Sequence, residues 1–201
     1  SADIWGLDGT LAPVYNVILD HITGSASEDG VFDFYEDVFN VTVSWNLITD
    51  TSAGLHLSDG GPSYRTGISF HHNVFARNGE RQIRMRNNNT FIDFVNNVVY
   101  GWGWISGWEG GLSMALSDIG LDNNEYPQMN VEDNFYFQSS GSANNAIRRD
   151  NPNGKVYFNG NIFPAGETDD YSTSPRILIP VQADVTHYAA NTLGCSVVPN
   201  V

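Results

Sequence analysis

The feature that most constrains this chain is a recurring asparagine. Apolar runs appear along its length as NVILDHIT (16–23), NVTVSWNLIT (40–49), GISFHHNVF (67–75), TFIDFVNNVVY (90–100), QMNVEDNFYF (128–137) and KVYFNGNIF (155–163). Aligned on the residue before the closing apolar pair, they give Ile22, Asn46, Asn73, Asn97, Asn134 and Asn161, at intervals of 24, 27, 24, 37 and 27. A β-sandwich would place turns every eight to twelve residues or so and would have no reason to repeat one polar residue in register. A solenoid has such a reason: each coil adds one parallel rung, and equivalent residues stack. Stacked asparagines satisfy one another's amide donors and acceptors, so a polar ladder is tolerable inside. The expected fold is therefore all-β, a right-handed parallel β-helix of about 24-residue coils, the hand being taken from known solenoids.

One domain over 1–201 follows, with two irregular stretches. Residues 101–126, holding Trp102, Trp104 and Trp108 in a Gly-rich GWGWISGWEGG run, are expected as a loop insertion beside the arginines. Its aromatic faces either stack on sugar rings or pack against the solenoid side. Residues 164–201 lose the repeat, with a short helix expected over 184–193 before Gly194. Neither end carries an evident cap. Sheet edges are normally covered, so other chains or the rest of a longer precursor are expected to cover them.

Composition narrows the partners. The formal net charge is −14 and the isoelectric point near 4.4, which opposes binding to nucleic acid or an anionic membrane surface. No apolar run approaches the roughly 18 residues of a membrane span. The single Cys195 excludes an intrachain disulfide and reads as a small buried hydrophobe. Against this acidity, Arg77, Arg81, Arg84 and Arg86 place four of the nine Lys and Arg residues within ten positions. A solvated face needs no such cluster, whereas an anion site does. Alternation along an extended segment puts Arg84 and Arg86 on one side, and guanidinium forks take carboxylates bidentately. Between the first two rungs, Asp29-Gly30-Val31-Phe32-Asp33 offers two carboxylates around a tight turn, a ligand pair for a hard cation such as Ca²⁺ or simply a solvated acidic turn. His71-His72 stand next to each other, and neighbours in a strand face opposite ways, which argues against their sharing one ion. No GxSxG, P-loop or dinucleotide fingerprint is present. No Asp pair beside the arginines suggests a glycoside hydrolase.

Taken in order, NVILDH, EDGVFD, NVTVSWN, ISFHHNVF, ERQIRMR and FVNNVVY resemble the pectate lyases of polysaccharide lyase family one, in particular their shorter bacterial branch. The match covers about residues 14–104 and continues more loosely through 128–163. The resemblance implies a parallel β-helix fold and calcium-dependent β-elimination on pectate or a related polyuronate, outside the cell or in the periplasm. Residue by residue it implies Asp29 and Asp33 as Ca²⁺ ligands, Arg81 as the catalytic arginine, Arg84 and Arg86 as substrate arginines, and Asp20 as a support. The chain departs from the family pattern at Ile83, where a proline is usual. It also lacks a lysine in 49–56, where His56 is the nearest substitute, and the coils upstream of Ile4 that normally supply a third calcium ligand. Trp104 is added as a sugar-stacking residue. Because guanidinium groups hold their protons, Arg81 has two possible roles: a base made effective by neighbouring cations, or a stabiliser of enolate charge with water as the base. A β-helix that binds acidic glycans, or serves an assembly, without turnover is the alternative function.

Overall fold

A computed structural model describes residues 3–57, 63–79, 81–85, 88–102, 112–114, 128–137, 147–149 and 155–162. Its strands, in chain order, are β1 Trp5–Asp8, β2 Val14–Asp20, β3 Thr23–Ser25, β4 Phe32–Tyr35, β5 Val38–Ser44, β6 Leu47–Thr49, β7 Leu55–Leu57, β8 Arg65–His71 and β9 Val74–Ala76. They continue as β10 Ile83–Met85, β11 Asn89–Val95, β12 Val98–Tyr100, β13 Leu112–Met114, β14 Gln128–Glu132, β15 Phe135–Phe137, β16 Ile147–Arg149 and β17 Lys155–Asn159. Every third strand joins the same sheet. Sheet A runs β1-β4-β7-β10-β13-β16, sheet B β2-β5-β8-β11-β14-β17 and sheet C β3-β6-β9-β12-β15. The pairings are parallel throughout, and no helix occurs among the described residues. This is a parallel β-helix, and its register reproduces the asparagine intervals: Thr23 pairs with Leu47, Leu47 with Val74, Val74 with Val98, and Val98 with Phe135.

Parallel strands buried on their inner face favour stacked rows of like residues. Val41, Ile68, Ile92 and Met129 form one such row, and Val43, Phe70, Phe94 and Val131 another, all essentially inaccessible to water. Sheet C adds Ile48, Phe75, Val99 and Tyr136, while sheet A adds Phe32, Leu55 and Ile83 beside Phe34, Leu57 and Met85. Each side chain of this size contributes about 1.5–3 kcal/mol when fully buried, so the rows dominate the stability.

The asparagines sit where sheet B turns into sheet C. Oδ1 of Asn73 accepts from both the backbone N–H and Nδ2 of Asn46, each at 3.0 Å. Asn97, Asn134 and Asn161 repeat the pattern at 2.8–3.1 Å. Each Nδ2 also donates to a carbonyl at the end of the preceding coil's sheet-B strand: Leu19, Val43, Phe70, Phe94 and Val131 in turn. Ile22 lacks an amide and simply donates its N–H to Asn46 Oδ1.

The residue before each rung has a left-handed backbone: His21, Trp45, His72, Asn96, Asp133 and Gly160, with φ of 52–65°. Two further left-handed rows follow the solenoid period, Asn16-Asn40-Gly67-Phe91 and Ala26-Asp50-Arg77-Gly101. The first row is skipped in the sheet-B pairing, where Tyr15 and Val17 match Phe39 and Val41, and it bends the strands as a stacked bulge.

The 101–126 stretch does not leave the solenoid altogether, because Leu112–Met114 pairs in parallel with both β10 and β16. Trp102 is buried against Tyr136, with an interplanar angle of 89°. The expected helix over 184–193, Cys195 and the rest of 164–201 lie outside the described residues.

Candidate functional site

Sheet A gathers the chemistry. Its strands are short and alternate apolar and polar residues, as in Leu55-His56-Leu57 and Ile83-Arg84-Met85, so the apolar side faces the core and the polar residue lies on the outer side. In register, Asp33 pairs with His56, and His56 with Arg84. A carboxylate, an imidazole and a guanidinium therefore occupy one row across three neighbouring strands, about 10 Å from first to last. Asp33 and His56 are half-buried, whereas Arg84 is 8 % exposed. Ser113 and Arg148 hold the next two positions of the row.

Arg81 lies just before β10 and is half-buried. Its φ of 50° falls outside the three periodic left-handed rows, so the solenoid geometry does not account for it. Its carbonyl accepts from the N–H groups of Gly54 and Leu55, at 3.0 and 2.9 Å. That approach requires glycine at position 54: a Cβ there would meet Gln82 Cα and O at 2.9 Å and Arg81 O at 3.0 Å. One coil back, the Ala53 N–H donates to the Asp29 carbonyl at 2.9 Å and the Val31 N–H to the Gly54 carbonyl at 2.9 Å. The turns carrying Asp29, Ala53-Gly54 and Arg81 are thus stacked at one edge of sheet A, beside the row of Asp33, His56 and Arg84.

Asp3 was not singled out from the sequence. Its carboxylate accepts the Gly30 N–H at 2.9 Å, one coil before the Asp29 turn, so an upstream acid does reach this edge. The signal was available, since Asp3 precedes Gly30 by the 27-residue period. Asp29, Asp33 and Asp3 nevertheless form no compact ligand set, because no group of three or more His, Cys, Asp or Glu side chains that could hold a metal occurs among the described residues. Calcium takes six to eight oxygens, more than Asp3, Asp29 and Asp33 offer among the described residues.

The expected arginine cluster divides. Arg77 occupies a left-handed corner at the end of sheet C, is exposed, and reaches Asp50 on the previous coil at 2.5 Å. It belongs to a surface ion pair of the kind that contributes little. Asp20, expected as a support, lies on sheet B, where Ser44 Oγ donates to it at 2.5 Å and His21 contacts it at 2.5 Å. The Ser44 hydrogen bond, followed by that of His21, holds its carboxyl below the usual range. It takes no part in the sheet-A row. Arg86 and Trp104 lie outside the described residues.

The chain is related to proteins named probable pectate lyase C. It is 29% identical over 153 residues to one from Aspergillus flavus, an alignment covering 74% of this chain and 32% of the relative. The relative from Emericella nidulans is 29% identical over 164 residues, covering 79% and 34%, and that from Neosartorya fischeri 27% over 152, covering 73% and 32%. The chain thus spans about a third of the length of the curated relatives it matches. No protein-family model matches it, and no solved structure does.

Proposed function

We propose that this chain carries a pectate-lyase-like site on the outer face of sheet A, cleaving pectate or a related polyuronate by β-elimination outside the cell. One observation supports this above the rest: the acid–imidazole–guanidinium row with Arg81 at its edge, on a parallel β-helix related to proteins named as pectate lyases. An acidic sugar chain lying across the strands would meet Asp33, His56 and Arg84 in succession, and Arg84 and Arg86 would take its carboxylates in bidentate hydrogen bonds. Arg81 serves the carbon next to the carboxylate. The proton at C5 is removed, its electron pair forms the C4–C5 double bond, and the C4–O bond breaks. The leaving oxygen takes up a proton, leaving a 4,5-unsaturated end. Either Arg81 accepts the C5 proton, or it stabilises the enolate charge while water accepts it. Calcium is part of the proposal: Asp29 and Asp33 would hold it, with water and sugar carboxylates completing the shell. When bound, it would neutralise the uronate carboxylate and make the neighbouring C–H more acidic.

The test is incubation with polygalacturonate, following the ultraviolet absorbance of unsaturated products, with added Ca²⁺ or with a chelator. The proposal expects a calcium-dependent rise that is absent in Arg81→Ala; an Arg81→Ala variant as active as the parent would end it. Binding without turnover is a second reading, favoured by the lack of a lysine in residues 49–56 beside the Arg81 turn. Retention on immobilised polygalacturonate without product would select that reading.

A further inference from the structure

His71 ends β8, and His72 follows it with a φ of 57°. In an unbroken strand the two rings would face opposite sides. The left-handed backbone at His72 cancels the alternation and turns both rings to one side, so that their Nδ1 atoms stand 3.0 Å apart with the ring planes at 89°. The two rings therefore do not diverge as strand alternation predicts. Trp45 stacks on the His72 ring at 4.5 Å and on His21 at 6.3 Å. The two rows at this corner contain no Lys or Arg. They read Asp20-Ser44-His71-Val95-Glu132 and His21-Trp45-His72-Asn96-Asp133, so the local charge favours a cation.

We propose that His71 and His72 form a two-imidazole chelate for a borderline divalent transition ion, Cu²⁺ ahead of Ni²⁺ and Zn²⁺. Metal–imidazole bonds of about 2.0–2.1 Å held at a right angle place the two nitrogens about 2.9 Å apart, whereas a tetrahedral angle needs about 3.3–3.4 Å. The 3.0 Å spacing of the metal-free pair lies nearer the right-angled arrangement, the preference of Cu²⁺, so the rings have least to move for that ion. In the metal-free pair, one Nδ1–H donates to the other Nδ1. On binding, that ring carries its proton on Nε2 instead, and both rings adjust about χ2, a broad torsion. Water fills the other positions. Nitrogen donors do not suit calcium, and the site lies on the sheet B–C corner, so it stands apart from the sheet-A proposal.

Titration of tag-free protein with Cu²⁺, following tryptophan fluorescence, tests it, with electron paramagnetic resonance counting the coordinated nitrogens. One equivalent is expected, with two imidazole nitrogens and strong quenching. Trp45→Phe should still bind one equivalent but lose most of that quenching. His71→Gln and His72→Gln should each weaken binding by at least about tenfold, as loss of even supporting groups around a metal often does, with thermal midpoints confirming that both variants fold. A site that survives in both variants, disappears only in His21→Gln, or shows a single nitrogen would overturn the proposal.

Discussion

Asn97 shows how much one buried amide can hold. Its Oδ1 accepts from the N–H and Nδ2 of Asn73, and its own Nδ2 donates to Phe70 O and Asn134 Oδ1. Alanine at 97 would leave several buried polar groups unsatisfied, at roughly 1–3 kcal/mol each. Asn97→Ala should therefore lose roughly 3 kcal/mol or more in urea unfolding, while exposed Asn159→Ala should stay within about 0.5 kcal/mol. Asp93 is a second residue with a measurable consequence. It is 8 % exposed on sheet B, and burial pushes its carboxyl up to about 6, opposed by the hydrogen bond from Asn130. The folded state thus holds the proton more tightly than the unfolded chain does. Stability from the protonated form is complete below pH 4 and is lost as pH rises through 6, by about 3 kcal/mol at most. Asp93→Asn keeps an acceptor for Asn130, so its thermal midpoint should match the parent's near pH 4 and exceed it above pH 7.

Among the elements, the long sheet-B strands and the rungs of sheet C were legible in the sequence, because runs of seven or more residues end on the same asparagine. Sheet A was not, since three-residue strands such as Leu55–Leu57 carry too short an alternation to stand out. The left-handed corners were hidden for another reason. Trp45 and Arg77 are not residue types that favour positive φ, and His72, of a type enriched there, is too weak a signal alone; stacking from coil to coil imposes the conformation on all three. That is why sequence proximity groups Arg77 with Arg81 and Arg84 although the corner sends it to another face, and why strand alternation predicts diverging rings for His71 and His72. The motif order points to Asp29, Asp33, Arg81 and Arg84 as candidates, and sheet A brings Asp33 and Arg84 into one row with Arg81 at its edge. Asp3 escaped because only the solenoid period ties it to Gly30. Gly54 couples fold and site most directly. Gly54→Ala should cost roughly 1–3 kcal/mol and displace the Arg81 turn, lowering lyase activity even at temperatures where the variant is folded. Gly6→Ala, whose Cβ would meet only Asp33 O at 3.9 Å, should change neither.

At the scale of the whole molecule, three sheets divide the labour. Sheets B and C supply long core rows and the asparagine ladder, while sheet A carries the row of Asp33, His56 and Arg84 across three of its strands. The net charge of −14 repels an acidic polymer everywhere except where guanidinium groups or a bound cation reverse it. Substrate binding therefore depends on where those cations lie. The direct measurement compares kcat/KM on polygalacturonate, in calcium, for the parent, Arg84→Gln and Arg77→Gln. Sheet A as the working face predicts a loss of at least about tenfold for Arg84→Gln, as expected when a charge-assisted substrate contact is removed, and less than about twofold for Arg77→Gln, a surface ion pair. Equal losses in the two variants, or a larger loss for Arg77→Gln, would contradict it.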